Sequence, residues 1–308
     1  MSDPNFPKDL NIKPLNAANS KYGTPTAFDD DFDLQAQQDA IHAYGIAGRV
    51  WEASYPMITY LNPPPSWLFD PPMLLKEKDR KPYSILELGS GTGIAASCMA
   101  EILREKDLLI VTDLPEARVC PLLEKNLSRH KSQPCCLAVR PLAWGSAEHA
   151  QKIKNEFRSL SLTHIVCSDL VYFPELLAPL LRSLIHLTSR NFSRPDEETT
   201  VVISYMIRSL TKEAPFWSTL GLWFKFYPVS YLSPREKPLG DREEEWHRFG
   251  SGLDDQVFVF IAHRRPESHK WTVPDSDVDL LLGTGANGKP YPQSDDTFES
   301  LLLLSMED

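Results

Sequence analysis

The chain has 308 residues, 42% of them hydrophobic and 24% charged, and a formal net charge of −10 at neutral pH. That length suits one large domain with tails or two small domains, and the apolar content is enough for a substantial core. The acidic balance argues against a nonspecific grip on DNA or RNA, which depends on clustered Lys and Arg neutralising phosphates, and it suits a basic partner.

The five cysteines, Cys98, Cys120, Cys135, Cys136 and Cys167, are odd in number and include no C-x-x-C pair. Reduced thiols of an intracellular protein are expected, and no metal centre, because His164, His186, His247 and His263 give no coherent ligand set. The opening MSDPNFPKDL lacks the basic start and apolar run of a signal peptide. The leucine run at 301–304 falls far short of the roughly 20 apolar residues of a membrane helix. A soluble monomer is expected, cytoplasmic with the nucleus as the alternative, without membrane or direct nucleic-acid contact.

In chain order, residues 1–40 hold prolines, asparagines and the acidic run Asp29, Asp30, Asp31, and read as a partly disordered N-terminal arm. From Gln35 a helical pattern leads into GRVWEASYPMITYL, where Val50, Tyr55, Ile58 and Leu61 form an apolar stripe. Pro63, Pro64 and Pro65 stop it, and the proline-rich stretch 63–82 reads as a loop or insertion. ILEL then predicts a buried strand running into the turn Gly89, Ser90, Gly91, Thr92, Gly93 and out into a helix through about Glu105. A tight strand-to-helix turn asks for glycine, and the helix N-terminus beyond it offers free N–H groups to a ligand. The spacing is G-x-G-x-G rather than the dinucleotide pattern G-x-G-x-x-G.

LLIVTD predicts a second buried strand ending at Asp113. Asp113 lies 20 residues past Gly93, where nucleotide-binding α/β folds place an acid to bind ribose hydroxyls. Asp before Leu-Pro-Glu equally suits a helix N-cap. A helix over about 116–129 follows, then the apolar run CCLAV and the sequence RPLAWG. HIVCSD predicts a fourth strand, Pro174 opens a helix bearing Leu177, Leu180, Leu181, Leu184 and Ile185, and TTVVISYM a fifth strand. SLTKEAPFWSTLG reads as a helix closed by Gly221, followed by the strand-like runs WFKFYPV and QVFVFIA. The alternation gives an α/β fold, a Rossmann-like, mostly parallel sheet with helices on both faces and an antiparallel C-terminal edge pair. The domain is expected over 41–265, with 266–308 an acidic tail whose apolar patches at 278–282 and 298–304 dock on the domain or serve a partner.

Together, Glu87 with GSGTG, Asp113 in TDLP, Trp144 in LAWG, and Asp169, Leu170, Val171 and Tyr172 resemble the seven-β-strand S-adenosylmethionine-dependent methyltransferases. More narrowly they resemble the family 16 protein methyltransferases, marked by a D-x-x-Y motif after the fourth strand; VWEAS at 50–54 matches that group too. The resemblance spans about 45–263. It implies S-adenosyl-L-methionine as cofactor, held by Trp51, Glu87, Gly89, Ser90, Gly91, Gly93, Asp113, Trp144 and Ser168, with Trp144 against the adenine. It makes Asp169 and Tyr172 the catalytic pair, and Ser204, Tyr205, Arg208 and Glu213 residues of the rim. The implied reaction is methylation of lysine on a protein such as a translation elongation factor or a chaperone. A small-molecule or nucleic-acid methyltransferase on the same fold stays open, although DLVY stands where base methylation would ask for an Asn-Pro-Pro-Tyr type motif. So does a catalytically silent cofactor-binding module.

Overall fold

The computed structural model describes residues 11–16, 31–74, 80–115, 119–157, 160–194, 196–232, 246–252 and 255–304. Helices α1 (Leu34–Tyr44) and α2 (Ser54–Leu61) precede the short strand β1 (Leu68–Asp70). There follow β2 (Ser84–Leu88), α3 (Ile94–Ile102), β3 (Leu108–Asp113), α4 (Val119–Asn126), β4 (Cys136–Pro141), α5 (Ala147–Glu156), β5 (His164–Ser168) and α6 (Pro174–Leu187). The second half holds β6 (Thr200–Met206), α7 (Leu210–Trp223), β7 (Phe224–Pro228), β8 (Ser230–Leu232), β9 (His247–Arg248), β10 (Ser251–Gly252) and β11 (Asp255–Arg264). Two helices close the chain, α8 (Asp277–Leu281) and α9 (Thr297–Leu304).

The main sheet runs β4-β3-β2-β5-β6-β11-β7, its first five strands parallel and β11 antiparallel to both its neighbours. The expected α/β architecture with its antiparallel edge pair is therefore present; the two-residue β10 adds to the start of β11. Central strands of such a sheet are covered on both faces and read as nearly continuous apolar runs, and side chains alternate between faces. Leu86, Leu88, Ile165 and Ile203 meet α5 to α9 on one side. Ile85, Leu109, Val166 and Val202 meet α2, α3 and α4 on the other.

Three segments differ from the sequence reading. Helix α5 went unseen because it buries little more than Ala150 and Ile153; Ser146 caps it by accepting from the His149 N–H at 3.2 Å. Within 63–82, β1 pairs with β8, and β8 with β9, as a small antiparallel sheet closed by Phe69, Tyr231, Phe249 and Trp67, whose ring stacks on Tyr231 at 5.0 Å. Gly221 does not end α7, which continues to Trp223. A Cβ on Gly221 would fall 2.0 Å from Asp295 Oδ1, so this glycine admits the C-terminal segment against the helix. That segment supplies Leu280, Ala286 and Phe298 to the core, with Phe298 stacked on Trp217 at 4.8 Å and 11°.

At the other end, Phe32 joins the opposite core. Buried Gln37 accepts the Leu15 N–H and donates to the Leu15 carbonyl, both at 3.0 Å, strapping residues 11–16 to α1. Among the described residues no helix is long and apolar enough to cross a membrane.

Candidate active site

In a parallel sheet every strand delivers its last residue to the same edge, and ligands bind there. The C-terminal ends of β2, β3, β5 and β6 open onto one cleft of about 380 Å³, which the loop before α2 closes from the side. Of the residues expected to bind or react, Trp51, Glu87, Gly89, Ser90, Gly91, Asp113, Trp144, Ser168, Asp169 and Tyr172 line it. Gly93 faces Leu123 and Leu127 of the α4 region instead, and its N–H is taken by the Ser90 carbonyl at 2.8 Å.

The turn after β2 is shaped by close approach. Gly89 has φ of 56°, and a Cβ there would sit 2.7 Å from the Trp144 ring and 2.9 Å from Leu170. Gly91, at φ 53°, lets the Ala47 carbonyl come within 3.1 Å of where a Cβ would be. L side chains are disfavoured in this region of backbone space.

Asp113 at the end of β3 accepts from the Gly91 N–H at 2.8 Å and from the Leu114 N–H at 2.7 Å. Each carboxylate oxygen keeps a second lone pair for a hydroxyl. Burial pushes this carboxyl up to about 6. Glu87, 1% exposed, is pushed up to about 8 by burial, with the Asp113 charge adding to the effect. Its Oε2 and the Ser90 Oγ are buried with no well-formed hydrogen bond, although Ser90 stands near enough to oppose part of the upward shift. Unpartnered buried polar atoms are costly, and a polar ligand in the cleft would relieve both.

At the other end of the cleft, Ser168 Oγ donates to Ser54 Oγ at 3.1 Å. Asp169 takes a left-handed φ of 61° and is held by both terminal nitrogens of Arg208. Tyr172 packs between Trp144, at 6.5 Å, and Phe173, at 4.8 Å. Burial raises its hydroxyl pKa, so it stands as a neutral donor. The four expected rim residues divide. Arg208 and Glu213 line the cleft, whereas Tyr205 and Ser204 are 0% exposed. Glu213 accepts from the Tyr205 hydroxyl at 2.5 Å and caps α7 through the Ser209 N–H at 3.1 Å. Arg49, lining the cleft, and its partner Glu52 were not named as site residues, although Glu52 lies within the VWEAS match; for Arg49 the trace in the sequence is its charge just before that stretch. No group of His, Cys, Asp and Glu among the described residues could hold a metal ion.

An acid at a strand end for a diol, a half-buried indole for a flat base and two buried oxygens without a well-formed hydrogen bond for an amino-acid end fit S-adenosylmethionine. Fold and site define an S-adenosylmethionine-dependent methyltransferase of the Rossmann-like, mostly parallel class. Residues 28–221 match the model of methyltransferase family 16, described as lysine methyltransferase, and the chain belongs to that family.

Solved structures with similar folds include the CurJ carbon methyltransferase, at 15% identity and TM-score 0.38 over 61% of this chain and 50% of that one, so the chain spans half of its length. An O-methyltransferase from Bacillus cereus in complex with SAH matches at 14% identity and TM-score 0.37, covering 59% of this chain and 74% of that one. A ribosomal protein L11 methylase from Lactobacillus delbrueckii subsp. bulgaricus matches at 14% identity and TM-score 0.38, covering 69% and 79%.

Proposed function

We propose that the chain is a protein-lysine N-methyltransferase, acting as a cytoplasmic monomer on a basic translation factor, an elongation factor in particular, or on a chaperone. The observation that carries this reading is the family's description as lysine methyltransferase over 28–221, joined to an acceptor end walled by Tyr172, Phe173 and Leu176. Apolar and aromatic walls suit the four-carbon stem of a lysine. The net charge of −10 suits a basic partner.

When bound, S-adenosylmethionine supplies an electrophilic methyl group on sulfur. The residues of the chain do the aligning. Asp113, Glu87, Ser90 and the glycine turn hold the cofactor, Trp51 and Trp144 wall it, and Asp169 and Tyr172 form the acceptor side. A lysine amine must be neutral to attack, which at pH 7.4 costs about 4 kcal/mol from its free pKa. Desolvation among aromatic walls reduces that cost, and a lone carboxylate would increase it. At Asp169 the increase is muted, because the Arg208 guanidinium lies on the carboxylate. Asp169 then helps to orient the amine by holding Arg208 and the wall beside it, and the amine's proton leaves to water.

The test is transfer of labelled methyl from the cofactor to protein in a lysate, followed by mass spectrometry of the labelled species. Label on the ε-nitrogen of lysine is expected, and its loss with Asp113→Ala. Label found only in nucleic acid or small molecules refutes the protein-lysine reading.

A further inference from the structure

Asp169 is the carboxylate of the cleft that an arginine grips with both terminal nitrogens. Arg208 Nη1 donates to its Oδ1 at 2.7 Å and Nη2 to its Oδ2 at 2.5 Å, and the Ala53 N–H donates to Oδ2 at 3.3 Å. Arg208 Nη2 also reaches Glu52 Oε2 at 3.2 Å. Arg49 grips Glu52 from the other side at 3.0 and 2.6 Å, and its Nε donates to the Lys13 carbonyl at 2.8 Å. The Trp51 ring lies beside both guanidinium groups, 4.4 Å from Arg49 and 5.2 Å from Arg208, where each cation gains from the ring's negative face. Its Nε1 donates to the Ile46 carbonyl at 3.0 Å.

This chain of contacts ties three distant segments together. Ala53 and Asp169 are 116 residues apart in sequence, and Glu52 and Arg208 are 156 apart. The loop 50–53 is also held by the buried Val50, whose N–H donates to Gln37 at 3.2 Å, and by the Trp51 bond to Ile46. At its far end the Ala53 N–H and Glu52 tie it to Asp169 and Arg208, so the position of the Trp51 wall depends in part on the charges beneath it. The Asp169 side chain is 0% exposed. Removing either partner of this two-toothed ion pair would leave the other buried without its counter-charge, which is strongly unfavourable. Such a carboxylate is suited to hold structure.

We propose that Arg208 is a positioning residue for the cofactor cleft: by clamping Asp169 it fixes the loop 50–53, and with it the Trp51 wall. The proposal concerns the cofactor side and does not rest on the protein-lysine reading; absence of a methylated protein would sink that reading and leave this one standing. The experiment uses the full chain and S-adenosylhomocysteine, with Arg208→Gln, Asp169→Asn and the double variant. Calorimetry gives the affinities, and hydrogen exchange reads the Ala53 amide.

Each single change is expected to weaken binding about tenfold and the double change by no more than about tenfold, since contacting residues acting as one unit are not additive. Exchange at Ala53 is expected to accelerate in all three, with the β2 and β3 amides unchanged. Binding by Arg208→Gln within twofold of wild type, losses that multiply to about a hundredfold in the double variant, or unchanged exchange at Ala53 would overturn the proposal. Should Arg208→Gln not fold, Arg208→Lys keeps the charge and gives up the planar fork, with an expected loss of about threefold; wild-type affinity there would overturn it equally.

Discussion

Glu87→Gln probes the cofactor end of the cleft through a proton rather than through turnover. In the ligand-free protein the Glu87 carboxyl is 1% exposed, its Oε2 has no well-formed hydrogen bond, and burial has pushed it up to about 8. A carboxyl with that pKa is about nine-tenths protonated at pH 7. An ammonium group arriving beside it favours the ionised form, and S-adenosylhomocysteine carries one. Binding should then release about 0.9 of a proton from Glu87, whereas Asp113, pushed up to about 6, is already mostly ionised at pH 7 and adds only about 0.1.

Calorimetric titration in two buffers of different ionisation enthalpy reads that number directly, and Glu87→Gln should leave only the small Asp113 contribution. The same shift has a signature in folding. The folded state keeps a proton that the unfolded state loses above 4.5, so stability falls as pH rises from 4.5 towards 8. By pH 7 the accumulated cost is about 3 kcal/mol, and it should be absent from the denaturation profile of Glu87→Gln. Release below about 0.2 of a proton by the wild type, or equal buffer dependence in both proteins, would refute the reasoning.

Two further predictions concern stability. Phe298→Ala opens the stack on Trp217 at a fully buried position, and chemical denaturation should show a loss of about 3–5 kcal/mol; a loss under about 1 kcal/mol would mean that the C-terminal segment adds little to the core. Asp107, whose carboxyl is opposed by burial yet held below its usual value by the Arg80 pair and by the N–H groups of Arg104 and Tyr83, stabilises the fold above its unfolded pKa, and that contribution is lost as pH falls through the lower folded value. Asp107→Asn should therefore be less stable at pH 7 by about 3 kcal/mol and show a shallower acid transition in pH-dependent unfolding; parallel transitions would count against the ion pair.

The parts of the molecule that could be read from the sequence share a physical cause. Strands β2, β3, β5 and β6 are covered on both faces, so each appears as an apolar run, and in a parallel sheet the residue ending such a run lies at the ligand edge. Asp113 and Asp169 could be placed on that ground before any contact was known, whereas Glu87 and Ser168 came from the family resemblance. The glycine turn belongs with the two aspartates, although Gly93 answers to helix packing and not to the cleft. What stayed hidden depends on partners far away in the chain. Gly221 looks like a helix stop until Asp295 is set against it, and α5 turns mostly polar residues to solvent, leaving no apolar stripe to notice.

The Asp169 end of the cleft is of this second kind. Arg208 reaches Asp169 only because β6 lies beside β5, and Arg49 and Glu52 acquire meaning only once the loop before α2 folds over both strand ends. A site built from backbone and strand termini leaves its pattern in local sequence, whereas a clamp built from side chains meeting across the sheet does not. The methyl-donor turn was therefore legible, and the clamp on Asp169 became visible only with strand order and side-chain pairing.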